Sequence, residues 1–272
     1  MASGMQTDEV LALVQDVSSQ VVEPRFRSLD DGEVHEKNPG DLVTVADREA
    51  EVLLTRALTA AYPDALVLGE EAASADPHLL ERFAGADHAF TVDPVAGTRN
   101  FVHGSPDHAV MVSELRAGAV VRSWIWQPQH RLAYVAERGA GAYRDGERLT
   151  TTPPAEGAPL RGTTSNRAWV GRSLGDLPAM GLTWVSCGVD YPRLAEGHAD
   201  YIVYRGVSPQ GTFRRGLPWD HAPGSLLVTE AGGAVLTFAG DPYDPRRLPL
   251  GGLVVAPDRA TAELVRGLVH TL

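Results

Sequence analysis

The chain has 272 residues, 43% of them hydrophobic, and a formal net charge of −11. That composition is far from a disordered one and supports one large domain or two closely packed halves. The acidic balance, with no long basic run, argues against a nucleic-acid-binding surface, and no apolar run approaches the roughly 18 residues of a membrane span.

The start, Met1-Ala2-Ser3-Gly4-Met5, lacks the cationic and apolar regions of a secretory signal, and the natural chain is expected to begin at Met5. Val10, Leu11, Leu13, Val14, Val17 and Val21 recur at helical spacing, which predicts an amphipathic helix over 7–25. Residues 30–40 are polar and rich in turn formers, so they read as a mobile loop. A second helix is expected from Thr44 to Ala61, stopped by Pro63 and holding Asp47 in its early turns. Two short apolar runs, Ala65–Leu68 and His88–Val92, read as strands that end on Glu70-Glu71 and on Asp93.

Residues 107–116, 119–127 and 131–136 predict an antiparallel meander, and Gly139–Gly146 a hairpin. Pro153–Gly157 is a plausible boundary between a half at 1–152 and a half at 153–272 within one compact unit. In the second half, strands are expected at Leu182–Ser186, Asp200–Tyr204 and 252–256. Helices are expected at Tyr191–Gly197, Trp219–Ala231 and 258–271. The single cysteine, Cys187, permits no intrachain disulfide and fits a reducing cytoplasm. The nine histidines show no close pairing of metal-ligand type, and His221 reads as a helix-surface residue. A phosphate-binding Gly-x-x-x-x-Gly-Lys-Ser/Thr loop is missing, so a nucleotide kinase is not indicated.

Four acidic segments carry chemistry. They are Asp41-Leu-Val-Thr44 with Asp47, Gly69-Glu-Glu71, Asp93-Pro-Val-Ala-Gly-Thr98, and Trp219-Asp220 followed by Glu230-Ala-Gly-Gly233. Singly, each carboxylate is an ordinary surface, turn or cap residue. Their joint order and spacing resemble the signature of the inositol monophosphatase superfamily of magnesium-dependent phosphatases, over about residues 41–233. The resemblance implies a layered αβαβα sandwich of α/β (α+β) class, a homodimer, and a small phosphorylated metabolite as substrate. It further implies two or three Mg2+ per site. Glu70, Asp93 and the Val95 carbonyl would hold one metal, Asp93 and Asp220 another, with Glu71 in support. Asp47 and Thr98 would orient and deprotonate the attacking water, which Glu70 would hold through a metal. Gly97 and Thr98 would open a helix whose N–H groups cradle the phosphate.

One position departs from the pattern. The family reads Asp-Pro-hydrophobic-Asp-Gly-Thr, and here Ala96 replaces the second aspartate. A methyl group ligates nothing, so the second metal should bind more weakly. Loss of such a charge-stabilising contact costs on the order of 10²–10³ in rate. Drift would have eroded several positions, yet Asp47, Glu70, Glu71, Asp93, Thr98 and Asp220 all remain. This favours a deliberate Asp-to-Ala change over decay into a non-catalytic phosphate-ligand-binding protein.

Specificity signals are weaker. Arg99 adds a cation beside the expected phosphate site, unless it simply faces solvent. Ser186, Cys187 and Asp190 match positions that touch the substrate alcohol, although a buried structural thiol also suits Cys187. Phe213, Arg214 and Arg215 stand where inositol-specific members place a glutamate. They point to a second anionic or an aromatic group on the substrate, as in a bisphosphate, histidinol phosphate or a nucleoside-type phosphate.

Overall fold

A computed structural model describes residues 4–30, 32–38, 40–206 and 216–272. The first helix, α1 (Thr7–Val17), runs on through a π turn at Ser18–Val22 and a 3-10 turn at Glu23–Arg25, filling the predicted 7–25 span. Residues 30–40 depart from expectation. Val34–Asn38 form strand β1, which pairs antiparallel with β2 (Asp41–Thr44). The polar residues of this run sit on a two-stranded hairpin, where alternate side chains can stay solvated while the backbone pairs.

Next come α2 (Val45–Ala61), β3 (Leu66–Gly69), α3 (Glu70–Ala75), α4 (His78–Ala84), β4 (His88–Ala96) and α5 (Thr98–Val102). The meander follows as β5 (Ala109–Arg116), β6 (Ala119–Gln127), β7 (Leu132–Glu137), β8 (Gly141–Arg144) and β9 (Glu147–Leu149). The expected hairpin at Gly139–Gly146 is instead the single strand β8, paired with β7 on one side and β9 on the other. The seven strands β3 to β9 form one sheet in sequence order, with only β3 and β4 parallel.

The second half begins with β10 (Gly162–Thr164) and β11 (Gly181–Leu182). The strand expected through Ser186 stops at Leu182, because Val185 takes a left-handed φ of 59° that breaks extension. Helix α6 (Cys187–Ala195) therefore starts earlier than its apolar periodicity suggested. Strand β12 (Tyr201–Arg205), α7 (Pro218–Glu230), β13 (Ala234–Thr237), β14 (Gly252–Ala256) and α8 (Arg259–Leu268) complete the chain. The second sheet has the order β11-β10-β12-β14-β13.

Apolar faces dictate the stacking. Val10, Val14, Leu54 and Leu58 of α1 and α2 pack on Phe90, Val92, Val112 and Trp124, one face of the large sheet. The opposite face, with Ala89, Met111, Ile125 and Tyr134, packs on Trp219, Ala222 and Leu226 of α7. Tyr191 and Leu194 of α6 and Val228 of α7 cover Ile202, Val235 and Val255 of the small sheet. Its outer face is closed by Ala262 and Val265 of α8. The result is helices, sheet, helices, sheet, helix. Each large aliphatic side chain so buried contributes about 1.5–3 kcal/mol of transfer free energy. Among the described residues, no helix is long and apolar enough to cross a membrane.

Candidate active site

Asp47 is fixed by a capping box. The Thr44 hydroxyl accepts the Ala46 and Asp47 N–H groups, and Asp47 Oδ2 accepts the Thr44 N–H at 2.8 Å and hydroxyl at 2.5 Å. This locks the carboxylate in the first turn of α2, where the helix dipole favours a negative charge. The Thr98 hydroxyl lies 3.0 Å from Asp47 Oδ1 and 3.1 Å from the Val95 carbonyl. The expected Asp47–Thr98 pair is therefore formed, and the Val95 carbonyl borders it.

One helical turn beyond Asp47, Glu51 accepts the N–H groups of Glu71 and Ala72 at 2.7 and 2.8 Å. It caps α3 from outside and so sets the direction of Glu70 and Glu71. Gly69 is required at this point, since a Cβ there would stand 2.3 Å from the Glu51 carboxyl carbon. The sequence reading missed Glu51, although its i+4 spacing from Asp47 places both on one helix face.

Strand β4 contains a β-bulge at Pro94-Val95. Asp93 pairs with Met111 and Ala96 with Ala109, so three steps on β4 match two on β5. Pro94 has no N–H to leave unpaired there. The extra residue reverses the alternation of side chains. Val95 joins the α1–α2 side, while Ala96 falls on the α7 side with Trp219 and Ala222, the face on which simple alternation from Ala89 also places Asp93. Asp93 thus sits within the strand, not at its end as expected. Gly97 follows in the left-handed region at φ 91°, and a Cβ there would meet Ser186 Cβ at 2.8 Å. Ser186 Oγ donates to the Ala96 carbonyl at 2.8 Å, clasping the bulge from the second half of the chain.

Asp220 occupies the first turn of α7, and its Oδ2 accepts the Leu217 N–H at 3.2 Å. Glu70, Asp220 and Cys187 line one cleft of about 660 Å3, together with Lys37, Ser165, Tyr204, Arg205 and Trp219. Lys37, placed by sequence in a loop, donates to Glu70 Oε1 at 2.6 Å and Glu71 Oε1 at 2.9 Å.

Electrostatics single out this group. Burial, then the neighbouring charges of Glu70, Asp220 and Asp47, hold the Asp93 carboxyl well above its ordinary range. Glu70 is raised to about 8, chiefly by burial, with Asp220 adding to the rise and Lys37 opposing it. Asp47 is raised to about 6 by burial, against the hydrogen bonds from Thr44. Asp93 Oδ1 is buried and has no hydrogen-bond partner among the described residues. An all-oxygen donor set, an orphaned carboxylate oxygen and mutual repulsion fit a hard divalent cation such as Mg2+. Among the described residues, no three His, Cys, Asp or Glu side chains are, as they stand, placed to hold a metal ion.

Other predicted residues lie elsewhere. Arg99 is exposed and its guanidinium donates to the Gly40 carbonyl at 3.1 Å, so it braces the β1–β2 hairpin. Of Ser186, Cys187 and Asp190, only Cys187 borders the cleft; burial and the nearby Asp220 push its thiol up. The Ser186 hydroxyl is spent on Ala96, and Asp190 is buried, accepting the Tyr204 hydroxyl at 3.0 Å. Phe213, Arg214 and Arg215 lie outside the described residues. His221 corrects the surface assignment. It is buried, accepts or donates with the Tyr191 hydroxyl at 2.9 Å, and burial lowers it to about 3, so its ring is neutral.

Five alternating layers, with Glu70 of α3 and Asp220 of α7 lining one cleft and Asp47 of α2 and Asp93 of β4 buried behind it, define a layered α/β protein of phosphatase type. The chain belongs to the inositol monophosphatase family, which it matches over residues 6–272. Members of that family are generally Mg2+-dependent. The chain is 33% identical to a Pseudomonas aeruginosa Nus factor SuhB over 79% of its own length and 80% of that protein. It is 32% identical to a Rhizobium meliloti inositol-1-monophosphatase over 76% of each. A Thermotoga maritima IMPase shares the fold at a TM-score of 0.76, with 24% identity over 97% of this chain and 96% of that one.

Proposed function

We propose that this chain is a Mg2+-type phosphomonoesterase for a small polyol, sugar or related phosphate, with turnover suppressed at Ala96. The observation that carries the reading is the clustering of acids around Asp93: Glu70, Asp220 and Asp47 all raise its buried carboxyl, and Glu70 and Asp220 line one cleft. Family membership supports the phosphatase class, and the R. meliloti relative supports a polyol phosphate among its substrates.

Glu70, Asp93, Asp220 and the Val95 carbonyl would hold the cation, with Glu71 in support. Bound there, it would supply charge against the phosphate dianion and acidify a water. Asp47 and Thr98 form a hydrogen-bonded pair that can take the proton of an attacking water and fix its direction. Gly97 keeps the backbone after the bulge open to the phosphate. Ala96 shares a face with Trp219, and an aspartate there would add one more oxygen to the same group. Residues 1–152 supply most of the carboxylates; residues 153–272 supply Asp220 and the Ser186 clasp. Lys37 and Arg205 on the cleft wall support an anionic substrate.

The test is Ala96→Asp assayed for phosphate release with Mg2+ on inositol monophosphate, fructose 1,6-bisphosphate, histidinol phosphate and a nucleoside monophosphate. A gain of about 10²–10³ on at least one is expected. If none is hydrolysed faster than by the Ala96 chain, suppression at this position is wrong. Undiminished binding of the phosphate esters without hydrolysis would then favour a non-catalytic ligand-binding role.

A further inference from the structure

Asp47, Glu51 and Asp220 take hydrogen bonds from groups with little freedom to move: backbone N–H groups and the Thr44 and Thr98 hydroxyls. Lys37 is different. It reaches the cluster from the β1–β2 hairpin, a two-stranded unit outside both main sheets. Its side chain is only 10% exposed, so the ammonium is drawn in rather than left in water. Nζ bridges two carboxylates at 2.6 and 2.9 Å, one of which, Glu70, belongs to the proposed cation-binding set. The hairpin carries a register irregularity between Glu36 and Asn38, at the residue that points inward. Arg99 ties Gly40, just before β2, at the same end of the hairpin.

We propose that Lys37 is a tethered surrogate cation: its ammonium neutralises Glu70 and Glu71 when no metal is bound, and a divalent ion must displace it from Glu70 to bind. This rests on the reading of the carboxylates as a cation site. The reason is charge. Burying Glu70 beside Asp93 and Asp220 without a counter-ion would be strongly unfavourable, and an ammonium within 3 Å offsets that cost. The same contact opposes an incoming cation, by occupying an oxygen that it needs and by like-charge repulsion at short range. A lysine suits this exchange because its charge sits on a flexible four-carbon stem that can swing back to water. The hairpin position thereby sets the metal affinity of a site to which it gives no ligand.

The test is calorimetric titration with MgCl2 alone, beside thermal melts in chelator, on the parent chain, Lys37→Met, Lys37→Arg and Glu70→Gln. Lys37→Met should bind Mg2+ about tenfold more tightly or better, and melt lower in chelator. Lys37→Arg keeps the charge and should follow the parent in both. Glu70→Gln should lose Mg2+ binding in the presence or absence of Lys37. Equal Mg2+ affinity for parent and Lys37→Met overturns the surrogate role while leaving the cation site intact. If neither chain binds Mg2+, the cation site itself fails and the inference falls with it. A Lys37→Met chain that melts lower with unchanged Mg2+ affinity reduces Lys37 to a structural ion pair and also refutes the proposal.

Discussion

Two buried carboxylates on adjacent strands of the large sheet have opposite surroundings. Glu114 of β5 is 2% exposed and receives Arg122 Nε at 2.5 Å, Arg116 Nε at 2.9 Å and His88 Nε2 at 3.0 Å. Arg122 also donates to the Tyr62 hydroxyl and the Met5 carbonyl, tying the N-terminal segment to the sheet. Asp93 of β4 is equally buried, yet its neighbours are other carboxylates and its Oδ1 has no hydrogen bond among the described residues. One charge was buried with its partners built in. The other was buried with its partners' sign reversed. The first arrangement holds a structure together; the second stores repulsion that a cation can relieve.

Exchanging these environments would break the contrast most severely at Glu114. Glu114→Gln leaves Arg122 half buried without its anion, and a loss of about 3–5 kcal/mol in urea unfolding is expected. Mg2+ binding by the surviving folded fraction should not change. Asp190 is the intermediate case, a buried acid raised to about 7, chiefly by burial, against the hydrogen bonds it accepts from Tyr204, Thr183 and the backbone of Trp184 and Ser186. Its folded-state value lies above the ordinary 3.8, so its contribution to stability is fully present below about pH 4 and is lost as pH rises through about 7. Asp190→Asn should flatten this decline by a few kcal/mol, at about 1.4 kcal/mol per pH unit. Unfolding free energies at pH 4.5 and 7.5 with the same slope for both chains would contradict it. Asp93→Asn should do the reverse of Glu114→Gln. The metal-free protein should gain about 1–3 kcal/mol at pH 8, because a repelled charge is gone. Calorimetry should find its Mg2+ binding abolished; a less stable Asp93→Asn chain would mean the carboxylate has a partner after all.

Much of the fold was legible in the sequence. The 3.6-residue spacing from Val10 to Val21 and the β-branched runs of the meander are both set by the faces they bury. The metal-ligand candidates were legible because four motifs keep the order of a known family. What stayed hidden depends on contacts between distant residues. Nothing local marks Lys37 as buried, since a polar run is solvated unless a partner such as Glu70 draws it in. The bulge at Pro94-Val95 is a mismatch between two strands, and only the pairing with Met111 and Ala109 reveals it. The bonds from Ser186 to the Ala96 carbonyl of β4 and from the Tyr204 hydroxyl of β12 to Asp190 likewise join separate elements.

The central helical layer has a consequence for how the protein is made. Synthesis delivers all seven strands of the large sheet by Leu149. The helix that covers Ala89, Met111, Ile125 and Tyr134 is complete only at Glu230. A nascent chain therefore carries an uncovered apolar sheet face while residues 150–230 are translated. That interval is when chaperone capture or self-association would act, and a chain truncated inside it would never leave that state.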